Sequence, residues 1–211
     1  MRNLIIVGAR GFGREVCSLA KSCIGYNSEF IIKGFLDDKD DALNGFETYP
    51  PILGSCEQYK IEDNDVFVCA LGAVEWKTFY TQIILEKGGL FINLIHPLAS
   101  IQEGARVGSG VIICQGAFIS NDVTIGDFVT IMNNVVLGHD CSVGSYSHIG
   151  PFSFMGGFSS IDSEVTLNVR STVLANIKIS RKASVGASSL VIKNVKENTT
   201  VFGIPARVLK F

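Results

Sequence analysis

Three histidines hold most of the acid–base chemistry that this 211-residue chain can offer near neutral pH: His96, His139 and His148. His139 lies in Leu137-Gly-His-Asp-Cys141 and is followed directly by Asp140. A neutral imidazole can take a proton from an attacking amine or hydroxyl, and a carboxylate bonded to its other nitrogen raises its basicity. His148 ends Ser145-Tyr-Ser-His148, one repeat unit further on, while His96 precedes Pro97 and reads as structural. A single surface histidine is ordinarily a solvated side chain, so the neighbouring Asp140 gives His139 its weight. The six cysteines are scattered without a CxxC pair and read as buried, reduced thiols.

A second feature with chemical use is Gly8-Ala-Arg-Gly11-Phe-Gly13, which follows an apolar stretch at residues 3–7. A glycine turn between a strand and a helix brings backbone N–H groups and the positive end of the helix to an anionic group. Arg14 to Ser22 reads as that helix, and Phe30 to Leu36 as a second strand ending in Asp37-Asp38. The acidic pair suits hydrogen bonds to a ribose or a base. Asp65 to Leu71 reads as a third strand running into Gly72, Glu75 to Lys87 as a helix, and Leu90 to Leu94 as a last strand. Alternating strands and helices predict a Rossmann-like α/β domain over residues 1–94. It has room for one mononucleotide-binding half, which suits a sugar nucleotide better than NAD.

The remainder repeats every six residues. From Ile101 to Val191, each sixth residue is aliphatic, sixteen in succession. Four places after each stands a small or β-branched residue, as at Val111, Val129, Cys141, Ser153 and Ala183. Neither a helix nor an ordinary strand has a period of six. A triangular solenoid does: each unit supplies one short strand and one corner, and three units close a coil. Residues 95–211 are therefore predicted to form an all-β, left-handed parallel β-helix with a short C-terminal tail. Glycine often follows the aliphatic position, as at Gly126, Gly138, Gly144 and Gly150, and is expected to relieve backbone strain in the corners.

Composition closes off other classes. Lys and Arg number 18 against 20 Asp and Glu, which gives no electrostatic reason to expect nucleic acid or an anionic membrane. The longest uncharged run, Cys141 to Ile161, contains six serines and four glycines and fails as a membrane span. The N-terminus does not read as a signal peptide, so a cytoplasmic protein is expected.

Residues nine apart in an 18-residue coil lie on roughly opposite sides of the prism, so one subunit cannot easily aim His139 and His148 at one point. If both serve one site, it lies between subunits, and a cyclic trimer would build three. Direct acyl transfer fits these groups, with His139 as base and amides of a turn such as Gly156-Gly157 as donors to the carbonyl oxygen. The same spacing is poor for a shared zinc of the γ-carbonic-anhydrase type, and no metal is expected. A non-catalytic sugar-nucleotide-binding protein on the same frame is the other alternative.

Seven segments together resemble a known family: Val7–Gly13, Gly34-Phe-Leu-Asp-Asp38, Ala70-Leu-Gly72, Leu94–Ile101, Gly138-His-Asp140, Ser147-His-Ile149 and Val201–Arg207. The chain is similar to the sialic-acid O-acyltransferase-like, bacillosamine and perosamine N-acetyltransferase group. That resemblance implies acetyl-CoA as co-substrate and a nucleotide-linked sugar of surface glycan synthesis as acceptor. The acceptor would be N-acetylated, with sialic-acid-type O-acetylation as the alternative. It implies His139 as general base with Asp140 beside it. His148, Gly157, Val169 and Ala187 would lie at acetyl-CoA. Arg10, Gly11, Phe12, Asp37, Asp38 and Gly72 would hold the nucleotide-linked sugar. It also implies a homotrimer with active sites between subunits. The sequence departs from the family at Phe12, where relatives usually carry histidine, and at Ala73 and Lys77, where they often carry Asn or Asp and Arg.

Overall fold

The computed structural model describes residues 1–209; Lys210 and Phe211, the end of the expected C-terminal tail, lie outside them. The chain divides into two compact units, residues 1–97 and residues 98–211.

The first unit is an α/β domain with a four-stranded sheet. Strand β1 (Arg2–Val7) leads into helix α1 (Gly11–Ser22), followed by β2 (Phe30–Leu36), β3 (Asp65–Cys69), helix α2 (Val74–Glu86) and β4 (Leu90–Phe91). The sheet order is β2-β1-β3-β4 and every pair is parallel. Strands β1 and β3 are central and nearly wholly apolar, as strands covered on both faces must be. The last predicted strand is cut short: β4 ends at Phe91, and Leu94–Ile95 forms a separate two-residue strand. Helix α1 begins three residues earlier than expected, so Gly11 and Gly13 belong to its first turn. The reason is steric. A Cβ on Gly13 would lie 1.9 Å from the Gly8 carbonyl oxygen, so glycine lets the helix start hard against β1.

Helix α2 shows its own reversal of expectation. Its buried residues are Lys77, Thr81 and Ile84, while Trp76 and Phe79 are exposed. Burial pulls the Lys77 ammonium down to a pKa of about 8.

The second unit is the predicted solenoid. Sixteen two-residue strands run from Ser100–Ile101 to Leu190–Val191, and each ends on the aliphatic residue of its hexad. Thr124 pairs with Ser142, and Ser142 with Ser160, so strands 18 residues apart stack in parallel register and three units make one coil. Each face is therefore one parallel sheet, in the left-handed β-helix class. The aliphatic ladder is buried from Ile113 to Val191; Ile101 and Val107, in the first coil, are less covered. Ladder serines meet their polar needs locally. The Ser147 hydroxyl donates to the Asp162 carbonyl at 3.1 Å, and that of Ser153 to the Asn168 carbonyl at 3.0 Å.

The corner glycines act differently from the prediction. The left-handed φ values fall three residues after the aliphatic position, mostly on larger residues: Asp122, Phe128, Asn134, Asp140, Tyr146, Phe152 and Phe158, with φ between 56° and 64°. Gly126, Gly138, Gly144 and Gly150 are not among the positive-φ residues. They are required by contact. A Cβ on Gly144 would come within 2.4 Å of the Asp162 carbonyl carbon and the Ser163 nitrogen in the next coil. Coil spacing, not backbone strain, selects glycine there.

The C-terminal strand Thr200–Gly203 pairs in parallel with the strand at Ser184 and turns back antiparallel onto Ala206–Val208. No described helix is long and apolar enough to cross a membrane.

Candidate functional site

Two separate sets of groups stand out, one in each unit. In the α/β unit a cleft of about 410 Å³ opens among the segments that follow the carboxyl ends of the strands. The chain passes from β1 outward to β2 and then returns to β3 on the other side of β1. That reversal leaves a crevice between the turns after β1 and β3, the usual ligand position in an open parallel sheet. Gly8 and Gly72 bound it on the two sides.

Of the six residues expected at the nucleotide-linked sugar, Arg10, Phe12, Asp37, Asp38 and Gly72 line this cleft. Gly11 does not; it opens α1 with open space where its Cβ would be. The two acidic residues have different situations. Asp37 accepts the Ala9 N–H on one oxygen at 2.9 Å and the Lys39 N–H on the other at 3.0 Å, and its side chain is only 8% exposed. It holds the turn after β1 to the end of β2. Asp38 is exposed and accepts a hydrogen bond from the Tyr80 hydroxyl. That bond to the carboxylate pushes the Tyr80 phenol up to about 12, so the hydroxyl remains the donor.

Sequence reasoning missed Trp76 and Tyr80, which line the cleft from α2 with their rings 6.1 Å apart. Their i, i+4 spacing just after a strand–glycine turn is the available signal. Cys56 is also at the cleft but is buried, and burial raises its thiol to about 12, which keeps it unreactive.

In the solenoid, His139 and Asp140 occupy one corner. Asp140 takes a left-handed φ of 58°, which aspartate tolerates, and places its carboxylate 2.8 Å from His139 Nδ1. With Nδ1 donating to Asp140, the neutral ring carries its lone pair on Nε2. Phe158, one coil on, meets the imidazole edge-on at 5.1 Å between centroids. A Cβ on Gly157 would stand 2.7 Å from both Cε1 and Nε2 of His139. Gly157 is thus the residue that leaves the ring its space.

The amide pair expected to serve the carbonyl oxygen is reduced by half. The Gly156 N–H donates to the Val173 carbonyl at 2.9 Å as part of the coil ladder, leaving Gly157 as the candidate donor. Cys141, two residues from His139, faces the interior and donates from Sγ to the Gly156 carbonyl at 3.2 Å, with its pKa raised by burial. It is not placed as a nucleophile for His139.

His148 lies on a different face, in register between Thr130 and Thr166, half-buried with Nδ1 inside. Val169 and Ala187, 18 residues apart, occupy equivalent places in successive coils. His139 and Gly157 are likewise 18 apart and form a second column. The structure therefore divides the expected residues of this unit into a His139–Gly157 corner and a separate region with His148, Val169 and Ala187. His96 is half-buried in the first unit.

Comparison with known proteins fits both units. Residues 3–79 match the family of the PglD N-terminal domain, and residues 122–157 match the bacterial transferase hexapeptide family of six repeats. PerB from Caulobacter crescentus, determined with CoA and GDP-perosamine, is 24% identical with a TM-score of 0.89, covering 100% of this chain and 98% of its own. The acetyltransferase domain of PglB from Neisseria gonorrhoeae, in complex with acetyl coenzyme A, is 24% identical with a TM-score of 0.88 over 99% of each chain. WeeI from Acinetobacter baumannii is 24% identical with a TM-score of 0.85, over 99% of this chain and all of its own. Among curated proteins, a serine acetyltransferase of Buchnera aphidicola is 38% identical over 50 residues. That match spans 24% of this chain and 19% of the relative.

Fold and sequence together define the class: an α/β unit followed by a left-handed β-helix, with a match to the bacterial transferase hexapeptide family over residues 122–157. More particularly, its N-terminal unit is similar to the PglD N-terminal domain over residues 3–79. The resemblance legible in the sequence is borne out.

Proposed function

We propose that the chain is an acetyl-CoA-dependent acetyltransferase acting on an amino group of a nucleotide-linked sugar in surface glycan synthesis. The observation that carries this reading is the His139–Asp140 pair at 2.8 Å, with Nε2 beside the space kept by Gly157. Support comes from the relatives: PerB is described with CoA and GDP-perosamine, and the PglB domain with acetyl coenzyme A.

In this reading acetyl-CoA supplies the activated thioester carbonyl. His139 Nε2 takes the proton of the amine as nitrogen attacks, and Asp140 stabilises the imidazolium that results; collapse of the tetrahedral intermediate then breaks the C–S bond, and the imidazolium returns its proton to the departing CoA thiolate. The Gly157 N–H is the candidate donor to the carbonyl oxygen. No covalent bond to the enzyme is needed. His148, Val169 and Ala187 hold the CoA side, and the cleft with Arg10, Phe12, Asp38 and Gly72 holds the sugar nucleotide, with Asp37 bracing the turn and Gly11 opening the helix.

The active protein is read as a homotrimer with sites between subunits. Two observations support this. The His139 and His148 groups lie on different faces of one solenoid. One sheet face also exposes Phe118 and Phe154 in register with Val136, with Phe152 and Phe158 exposed near the same strand. Six free cysteines suit a reducing compartment, hence the cytoplasm.

The test is release of CoA thiol from acetyl-CoA with UDP-, GDP- and dTDP-linked amino sugars and free sialic acid, for wild type and His139→Ala. Turnover on an amino sugar, reduced at least about a hundredfold in the variant, is expected. Turnover on sialic acid alone would shift the reading to O-acetylation. Absence of turnover together with absence of acetyl-CoA binding would favour a non-catalytic sugar-nucleotide-binding protein.

A further inference from the structure

The cleft of the α/β unit contains a recognition device that the nucleotide-sugar reading alone does not require. It is made of Trp76, Tyr80 and Asp38. Trp76 and Tyr80 stand one helical turn apart on α2 and line the cleft side by side. Phe79 packs edge-on against both, at 6.2 Å from Trp76 and 5.1 Å from Tyr80, bracing the pair from outside. Trp76 is 57% exposed although it carries the largest apolar surface on the helix, and Lys77 occupies the buried place instead. An exposed indole at the rim of a cleft is a stacking platform for a flat, π-rich ligand.

The polar group beside that platform narrows the ligand. Asp37 is only 8% exposed, accepts two backbone N–H groups and lies 3.9 Å from the Arg10 guanidinium, so Asp38 is the exposed carboxylate at the cleft. Its orientation is fixed by the Tyr80 hydroxyl bound to Oδ2. That leaves Oδ1 and the second lone pair of Oδ2 to accept hydrogen bonds, a site for two adjacent donors. Guanine is the common base that offers two neighbouring donors on one edge, N1–H and the N2 amino group. Uracil and thymine present N3–H between two carbonyl oxygens, and adenine and cytosine place one amino group beside a ring acceptor. Against a carboxylate each of those edges leaves a repelled or unpaired lone pair.

We propose that this cleft selects a guanine nucleotide: the base stacks on Trp76, and its N1–H and N2–H groups bind the carboxylate of Asp38, which Tyr80 positions. The proposal rests on the nucleotide-sugar reading of the cleft and names its base.

Trp76 is the chain's single tryptophan, so intrinsic fluorescence reports the platform directly. Titration with GDP, IDP, UDP, dTDP and dGDP should quench it most strongly with GDP. IDP keeps N1–H but lacks the N2 amino group, and should bind about tenfold more weakly, as the loss of one charge-assisted hydrogen bond requires. UDP and dTDP should bind more weakly still, and dGDP like GDP. Asp38→Asn should bring GDP and UDP within about threefold of each other, and Tyr80→Phe should lower the GDP/UDP ratio while leaving Tm unchanged. Equal binding of GDP and UDP, with dGDP and dTDP weaker than both, would assign Asp38 to the ribose hydroxyls and overturn base selection. It would leave nucleotide binding intact. Failure of every nucleotide to bind would instead remove the reading on which the proposal stands.

Discussion

At the residue scale, the sharpest claims concern groups whose surroundings fix what they can do. Asp140 holds its carboxylate on His139 Nδ1 at 2.8 Å. Asp140→Asn should lower kcat about tenfold or more with KM little changed, because the carboxylate acts on the imidazolium that forms in transfer. An equal fall in affinity for acetyl-CoA would argue against that role. Gly157→Ala should cost activity with a smaller effect on Tm, since the three atoms nearest the new methyl all belong to the His139 ring and none to backbone. Lys77 gives a pH signature. Its folded pKa of about 8 lies below the ordinary 10.5, so the unfolded chain binds more protons between those values. The burial penalty is complete below pH 8 and disappears as pH rises toward 10.5. The Tm of Lys77→Met minus that of wild type should therefore be greatest near pH 7 and should shrink through that window. The comparison must be a difference between the two proteins, because Cys17, Cys23, Cys56, Cys69 and Cys141, raised by burial, drive stability the opposite way above pH 9. A constant difference across that range would contradict the burial of a titrating ammonium.

At the scale of elements, the six-residue ladder was the most legible feature, because each hexad states its own strand and corner without reference to distant residues. All sixteen two-residue strands end on the aliphatic position that the sequence marks. The reason for the glycines was not legible. Sequence spacing alone does not reveal that Gly144 touches the backbone at Asp162 and Ser163 a full coil away. Gly144→Ala should therefore destabilise by about 1–3 kcal/mol, the usual cost of overpacking a close contact. Gly11→Ala, with open space and helical backbone, should be neutral or stabilising by up to about 1 kcal/mol. Equal effects in thermal unfolding would show that coil contact does not set the requirement. The α/β cleft was legible in part. The turns after β1, β2 and β3 carry their markers in sequence, as Gly8–Gly13, Asp37-Asp38 and Gly72. The α2 wall did not, because an aromatic trio at 76, 79 and 80 looks like a core stripe, and the fold buries Lys77 instead.

At the scale of the whole molecule, the proposed site needs more than one chain. The separation of His139 from His148 was readable from their nine-residue spacing and the 18-residue coil. A partner chain is not something a single sequence displays, although exposed Phe118, Phe154 and Phe158 on the solenoid agree with one. Sedimentation should give about 68 kDa, three times the 22.8 kDa chain. The central claim is that His139 of one subunit serves a donor site on its neighbour, and subunit mixing tests it most directly. His139→Ala and Ala187→Trp, each inactive alone in acetyl transfer, would be co-expressed and purified as mixed trimers. About a third of wild-type activity should return, because one of the three interfaces in every mixed trimer joins an intact His139 to an intact Ala187. A mixture as inactive as its parts would contradict a site shared between subunits.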